Sequence, residues 1–177
     1  MPSTVATDPQ PPALTWQLRL LGQPALVLAS VAAGSQRCIV LRPKDAALLA
    51  VVALAGPLKA ERLAALLWPA ASARQADTSL RQRLFRLRRE TQAALITSGA
   101  LLQLAPGLVT DLGSEIERIA ADEHAGQSEL LGDLDYDDLP DLADWLRAQR
   151  SHWHEQRDAA LAAAAADCES QDRKSVV

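Results

Sequence analysis

A leucine stripe opposite a run of arginines marks residues Asp77–Glu90. On a helix, Leu80, Leu84 and Leu87 fall at i, i+4 and i+7 and form one apolar face. Asp77 precedes the stripe and is placed to cap the helix. Polar and cationic side chains point away from the stripe: Ser79, Gln82, Arg83, Arg86 and Arg89. The segment therefore predicts a helix that leucines hold to a core while its cations face outward.

A helix of this kind suits the major groove of DNA. Arginine binds phosphate or pairs with guanine through two hydrogen bonds, and glutamine pairs with adenine. We expect Phe85 to join the leucines in the core. A solvated cationic helix would show the same pattern, so the neighbouring elements have to distinguish the two interpretations.

Charge is divided unevenly along the 177 residues. Residues 1–112 carry twelve Lys/Arg against six Asp/Glu, whereas residues 113–177 carry six against sixteen. A basic front half suits a polyanion, and an acidic back half suits protein surfaces or basic partners. The length allows one to two domains, so this asymmetry predicts two modules with different partners.

The front half combines short strands with helices. The first helix is expected at Pro43–Ala55, where a proline opens the helix and Gly56 and Pro57 follow its end. A second helix is expected at Glu61–Trp68, followed by a loop. Three alternating or apolar segments predict a small antiparallel sheet before these helices: Leu14–Leu21, Pro24–Leu28 and Arg37–Leu41.

A hairpin is expected after the third helix. Residues 95–97 and 101–104 flank Ser98 and Gly99, and a turn at residues 106–107 leads into residues 108–110. Strands, three helices and a final hairpin together predict an α+β winged helix-turn-helix domain.

Four segments in this order resemble the OmpR/PhoB-type winged helix of the SARP/AfsR-like bacterial activators. They are Leu18–Gly22, Leu41–Leu49, Arg62–Pro69 and Ser79–Arg89. The resemblance covers residues 14–112. It implies a DNA-binding transcription factor whose third helix enters the major groove of double-stranded DNA.

The resemblance also implies roles for side chains of the third helix. Arg86 is the leading candidate for a base contact, and Gln82 and Arg83 beside it are candidates for bases or phosphates. Ser79 lies near the start of the helix, where hydroxyl and backbone N–H groups suit a phosphate. The DNA backbone is assigned to two arginines at the end of the helix: Arg88 and Arg89.

Trp68 matches a tryptophan that, in that family, opens the loop between the second and third helices. That loop touches phosphate or RNA polymerase, and Trp68 is a candidate for either contact. The alternative is that Trp68 packs beneath the loop.

The hairpin departs from the family pattern. Related regulators often place an arginine there for the minor groove, but Leu95–Leu112 contains no Lys or Arg. Fewer phosphate contacts weaken the salt dependence of binding. Dimeric or tandem binding would compensate for the weaker DNA affinity of each monomer, so a second copy of the chain in a homo-oligomer is a possible partner.

The back half is expected to be helical. A short helix is predicted at Ser114–Ala121, with Ser114 and Glu117 in capping-box spacing, and a long one at Leu142–Ala166. This half resembles the start of the bacterial transcriptional activator domain, a tetratricopeptide-like helical module. Two segments carry that resemblance: Glu129–Leu134 and Trp145–Arg150.

The helical module looks incomplete. About three stacked helix pairs are needed to close such a core, and this chain supplies little more than one. Residues 172–177 could be encoded by a common sequencing-adapter read followed by a stop codon. The domain expectation is therefore a disordered tail at 1–13, a DNA-binding domain at 14–112 and a partial helical domain at 113–177, with an artefactual tail at 172–177.

The chain offers no set of catalytic or metal-binding residues. It lacks a glycine-rich phosphate loop, a nucleophile elbow and a zinc-ligand set, so we expect no enzyme, no cofactor and no metal. The acidic turn at residues 133–138 lacks the glycine and the glutamate of a calcium-binding loop. His152 and His154 are two residues apart and face different sides of a helix.

The expected location is the cytoplasm, without membrane insertion. Cys38 and Cys168 are too far apart in sequence to suggest a disulfide framework, and no run of 18 apolar residues occurs. Two other functions stay open. One is a protein-interaction module whose winged helix no longer binds DNA, and the other is the regulatory N-terminus of a larger ATPase-type regulator.

Overall fold

The computed structural model describes residues 15–29, 36–121 and 128–175. The predicted tail at 1–13 lies outside these residues, as do the last two residues of the predicted tail at 172–177. In chain order the elements are β1 (Thr15–Arg19), β2 (Ala25–Ala29), β3 (Gln36–Val40), α1 (Pro43–Ala55), α2 (Ala60–Leu67), α3 (Ala73–Thr91), β4 (Ile96–Ser98), β5 (Leu102–Leu104), β6 (Val109–Thr110), α4 (Asp111–Ala121) and α5 (Pro140–Ser175).

The strands form two sheets. The larger has the order β3-β2-β1-β6, in which β1, β2 and β3 are antiparallel neighbours and β6 runs parallel to β1. The smaller sheet is the β4–β5 hairpin. The prediction that residues 108–110 continue this hairpin is wrong, because Val109 and Thr110 pair with Gln17 and Leu18 of β1.

Helix α1 occupies the centre of the core. Its predicted bounds are confirmed, with Pro43 in the first turn and Gly56 at φ +72° after its end. The residues from Ala46 to Val52 are all buried, as expected for a helix that is apolar on every side. Aromatic residues make up only 3% of the chain, so leucine and alanine fill most of this interior.

Helix α3 begins earlier than its sequence suggested. The predicted cap at Asp77 is wrong: Ser72 is the N-cap, and its hydroxyl accepts a hydrogen bond from the Gln75 backbone N–H. The Gln75 side chain accepts in return from the Ser72 N–H at 3.1 Å, which completes a capping box. Asp77 instead lies inside the helix, paired with Arg81 at 3.1 Å.

Helix α4 is joined to the end of β1 by one carboxylate. Asp111 accepts hydrogen bonds from the backbone N–H groups of Leu20 and Leu21, at 2.8 and 3.1 Å. Burial raises the pKa of Asp111, although these two bonds oppose the rise. The predicted cap at Ser114 is wrong, because α4 starts at Asp111 and the Ser114 hydroxyl donates to the Asp111 carbonyl.

The turn before α5 packs directly on the larger sheet. The Leu131 N–H donates to the Leu20 carbonyl at 2.6 Å, and the Gly22 N–H donates to the Glu129 carbonyl at 2.8 Å. The Arg150 guanidinium fixes this turn by donating to three of its carbonyls: Leu130, Gly132 and Leu134. Leu130 and Leu131 belong to the same buried core as α1, so the core includes residues on both sides of position 112.

The predicted α+β arrangement followed by helices is confirmed at this level. Two small sheets and three helices form the first part, and α4 and α5 follow them. Among the described residues, no helix is both long enough and apolar enough to span a membrane.

Candidate nucleic-acid interface

Helix α3 presents one continuous exposed face, which we call its outer face. Buried Leu80 and Leu87 hold the opposite side of the helix to the core, and half-buried Leu84 packs beside them. The outer-face residues recur every three to four positions, so they line up along the helix. They are Arg74, Gln75, Thr78, Arg81, Gln82, Phe85, Arg88 and Arg89.

The predicted contact residues fall into two groups. Gln82, Arg88 and Arg89 lie on the outer face, while Ser79 is half-buried at its edge. Arg88 and Arg89 occupy the last turn of α3, where cations complement the helix dipole. These two arginines form no ion pair with any residue that the structure describes, so their guanidinium groups are available to an anionic ligand.

The other group consists of two arginines that turn inward. Arg83 and Arg86 lie off the leucine stripe as predicted, but the expectation that they face outward is wrong, because both bind the carboxylate of Asp45 in α1. Arg83 Nη1 lies 2.7 Å from Asp45 Oδ1, and Arg86 Nη2 lies 2.9 Å from Oδ2. The Asp45 side chain is only 5% exposed, against 22% for Arg83 and 35% for Arg86. A buried carboxylate requires charged partners, and these arginines supply them.

Trp68 lies beside this ion-pair cluster. The Arg83 guanidinium is 5.8 Å from the centre of the indole ring, and Lys44 Nζ is 5.5 Å from it, both within cation–π range. Trp68 is half-buried against the core and is the C-cap residue of α2. This position agrees with the packing alternative, and contact with phosphate or polymerase stays a prediction.

Several outer-face residues were missed by sequence reasoning. Thr78 and Arg81 lie within the predicted helix but outside the set of candidate contacts. Arg74 and Gln75 precede Asp77, where the sequence predicts the start of the helix, and so fall in the predicted loop. The signal that could have located them is the pair Ser72 and Gln75, which has the spacing of a capping box.

Arg37 adds a cation near the end of α3. It lies in β3, and its guanidinium donates to the Glu90 carbonyl at 2.9 Å. Nothing local in the sequence connects β3 with the end of α3, so this contact could not be predicted.

The β4–β5 hairpin lies beside the second half of α3. A shallow groove between them is lined by Phe85 and Arg88 from the helix and by Leu95, Ile96 and Ser98 from the hairpin side. The hairpin is fixed by two backbone hydrogen bonds between Leu58 and Leu102. It contributes no cation, so the positive charge of this surface comes from α3 and Arg37.

The described residues do not assemble a metal site. No three His, Cys, Asp or Glu side chains among them lie close enough to hold an ion. His154 instead bonds Glu129 at 2.8 Å, whereas His152 lies on the exposed side of α5.

The outer face therefore offers guanidinium, amide and hydroxyl groups along one helix. Comparison with protein-family models, with curated proteins and with solved structures yields no match for this chain.

Proposed function

We propose that this chain is a sequence-specific, double-stranded DNA-binding transcriptional regulator. The observation that carries the proposal is the outer face of α3, where arginine, glutamine and threonine side chains are exposed at successive turns of a 19-residue helix. The major groove admits one α-helix and presents hydrogen-bonding groups that these side chains recognise. The resemblance to SARP/AfsR-like activators points to the same helix.

The order of elements supports a winged-helix arrangement. Helix α2, a short connection and α3 are followed by the β4–β5 hairpin, which we interpret as the wing. Under this proposal α4 and α5 belong to an activator domain, and the regulator acts in the cytoplasm. Trp68, at the start of the α2–α3 connection, is then the candidate contact for RNA polymerase or phosphate.

The geometry reassigns the contact residues within this proposal. Arg81 and Gln82 lie near the middle of the outer face and are the candidates for base edges. The ends of the face suit phosphates, because cations there lie near the groove walls: Arg74, Arg88 and Arg89. Arg83 and Arg86 become positioning residues, since Asp45 already holds their guanidinium groups.

Selection from a random pool of duplexes tests the proposal. The full chain is incubated with the pool at about 0.15 M salt, and the retained duplexes are sequenced. We expect an enriched motif; a direct repeat would indicate dimeric or tandem binding. Retention without enrichment, or no retention, would contradict sequence-specific recognition.

The selected duplex then tests the assignment of phosphates. Replacing Arg88 and Arg89 together by alanine should weaken binding on all sequences and lower the slope of log K against log salt by about 1–2, since each phosphate contact contributes about 0.9. The matched control replaces two exposed arginines of α4 and α5, Arg118 and Arg147. Equal losses in the two double variants would show that only net charge matters.

A protein-interaction module is the second candidate. It is favoured by one observation: Phe85 is 69% exposed in the middle of the outer face. Large exposed apolar groups often mark protein contacts. The selection experiment distinguishes the two functions, because a protein-interaction module would retain no duplex from the pool.

A further inference from the structure

Phe85 is the one apolar side chain on the outer face of α3, as far as the structure describes that face. It was expected in the core, and that prediction is wrong: its side chain is 69% exposed. The core is closed without it, because Leu80 and Leu87 are buried and Leu84 packs beside them. Folding therefore does not account for a phenylalanine at this position.

Polar groups that suit DNA lie on both sides of Phe85 along the helix. Arg81 and Gln82 lie one turn before it, and Arg88 and Arg89 one turn after it; all four are exposed. Their spacing places them on the same side of the helix as Phe85. A helix docked in the major groove through these residues would bring Phe85 against the base edges between them.

The major groove presents one apolar group to such a side chain, the 5-methyl group of thymine. We propose that Phe85 is a specificity-determining residue that recognises thymine by contacting this methyl group. This inference rests on the proposed function, since it assumes that α3 lies in the major groove.

The surroundings of Phe85 favour DNA over a protein partner. Arginine and phenylalanine are both common in protein–protein interfaces, so residue type alone does not separate the two ligands. The arginines on both sides of Phe85 along the helix nevertheless make this part of α3 positively charged, which suits the phosphates on either side of a groove. Two carboxylates lie on this part of α3: Asp77 is paired with Arg81, and Glu90 is exposed beside Arg89 at the end of the helix. The ring thus has cations before and after it along the helix and the apolar groove with Leu95 and Ile96 at its side, an arrangement that suits an anionic ligand carrying methyl groups.

Replacement of thymine by uracil tests the proposal, because it removes only the methyl group. In the duplex selected by the full chain, each thymine is changed to uracil in turn, and the Kd is measured for the natural chain and for Phe85→Ala. We expect one position where uracil weakens binding by about fourfold for the natural chain, the value of one buried methyl. Phe85→Ala should bind the thymine and uracil duplexes equally.

Arg88→Ala is the matched control. It should bind more weakly overall but keep the fourfold preference for thymine, because it leaves Phe85 in place. An exposed side chain can be removed without unfolding the protein, and a thermal melt of Phe85→Ala checks this.

The outcomes separate the two proposals. If the selected duplex binds but no uracil substitution changes the Kd, or if Phe85→Ala keeps the preference for thymine, the inference about Phe85 is overturned and DNA recognition stands. If the natural chain retains no duplex, the proposed function fails and the inference fails with it. A protein partner for Phe85 would then be the remaining explanation.

Discussion

At the scale of single residues, the carboxylate of Asp45 fixes the orientation of α3 relative to α1. It accepts from Arg83 and Arg86, which lie one turn apart on the facing helix. Rotation of α3 about its axis would break at least one of these charged hydrogen bonds. Together with the buried Leu80 and Leu87, the ion pairs therefore determine which side chains reach the outer face.

Asp45→Asn should lower the free energy of unfolding by about 1–3 kcal/mol, because hydrogen bonds to charged groups are worth that much and the arginines stay half-exposed to water. Urea denaturation measures the loss. The matched control is Asp77→Asn, which removes the exposed pair with Arg81 and should cost about 0.2–1 kcal/mol. Equal losses of unfolding free energy in the two variants would show that the buried ion pair stabilises the fold no more than the exposed one does.

The role of Asp45 could not be predicted from the sequence. Asp45 lies in the first turn of α1, but its partners lie 38 and 41 residues further along the chain. Periodicity showed that Arg83 and Arg86 are off the leucine stripe, but not that a buried carboxylate from another helix would draw them inward. The exposure of Phe85 could not be predicted for the same reason, because only the packing of the folded chain shows that the core is filled without this side chain.

At the scale of elements, α3 owes its first turn to its cap. Arg74 and Gln75 reach the outer face only because the helix begins at Ala73. Without the cap, the first backbone N–H groups would lose a partner.

Ser72→Ala should lower the free energy of unfolding by about 1 kcal/mol, the usual value of a serine cap. Thr78→Ala is the control, since that exposed hydroxyl bonds only a carbonyl of its own helix and alanine is the better helix former. Circular dichroism during thermal denaturation compares the two variants. An unchanged melting temperature for Ser72→Ala would show that the Ser72 cap does not stabilise the helix, which would then effectively begin nearer to Asp77.

Elements with local signals were predictable, and those with distant partners were not. Helix α1 matches its predicted bounds, and α2 and the first three strands lie within a few residues of theirs, because prolines, glycines and alternation mark them. Strand β6 has only two residues, and its partner β1 lies about ninety residues earlier. No local pattern can distinguish it from a third strand of the hairpin.

At the scale of the whole molecule, the two halves meet backbone to backbone. Gly132 has a φ of +53°, and a Cβ there would lie 2.6 Å from the Gly22 carbonyl oxygen. The contact belongs to the turn that covers the end of β1. Further along the same segment, the Tyr136 hydroxyl donates to the carbonyl of Pro43, the first residue of α1, at 2.7 Å. The acidic half is thus packed onto the basic half despite their different compositions.

Gly132→Ala should lower the free energy of unfolding by about 1–3 kcal/mol, because the added carbon overpacks a backbone contact and the positive φ disfavours alanine. Gly113→Ala is the control, since a Cβ there meets nothing within 4 Å and the position is helical; it should be neutral or stabilising by up to about 1 kcal/mol. Thermal denaturation measures both. An unchanged melting temperature for Gly132→Ala would mean that the turn is not docked on the sheet.

The parallel pairing of β1 with β6 has a consequence for synthesis of the protein. Strand β2 covers one edge of β1 early, but the other edge is covered by Val109, Thr110 and the turn that includes Leu131. Ribosomes add about 5–20 residues per second, so these partners emerge on the order of 5–20 s after β1. During that interval the nascent chain carries an open strand edge, the kind of surface that pairs with other chains, and completing the sheet closes it.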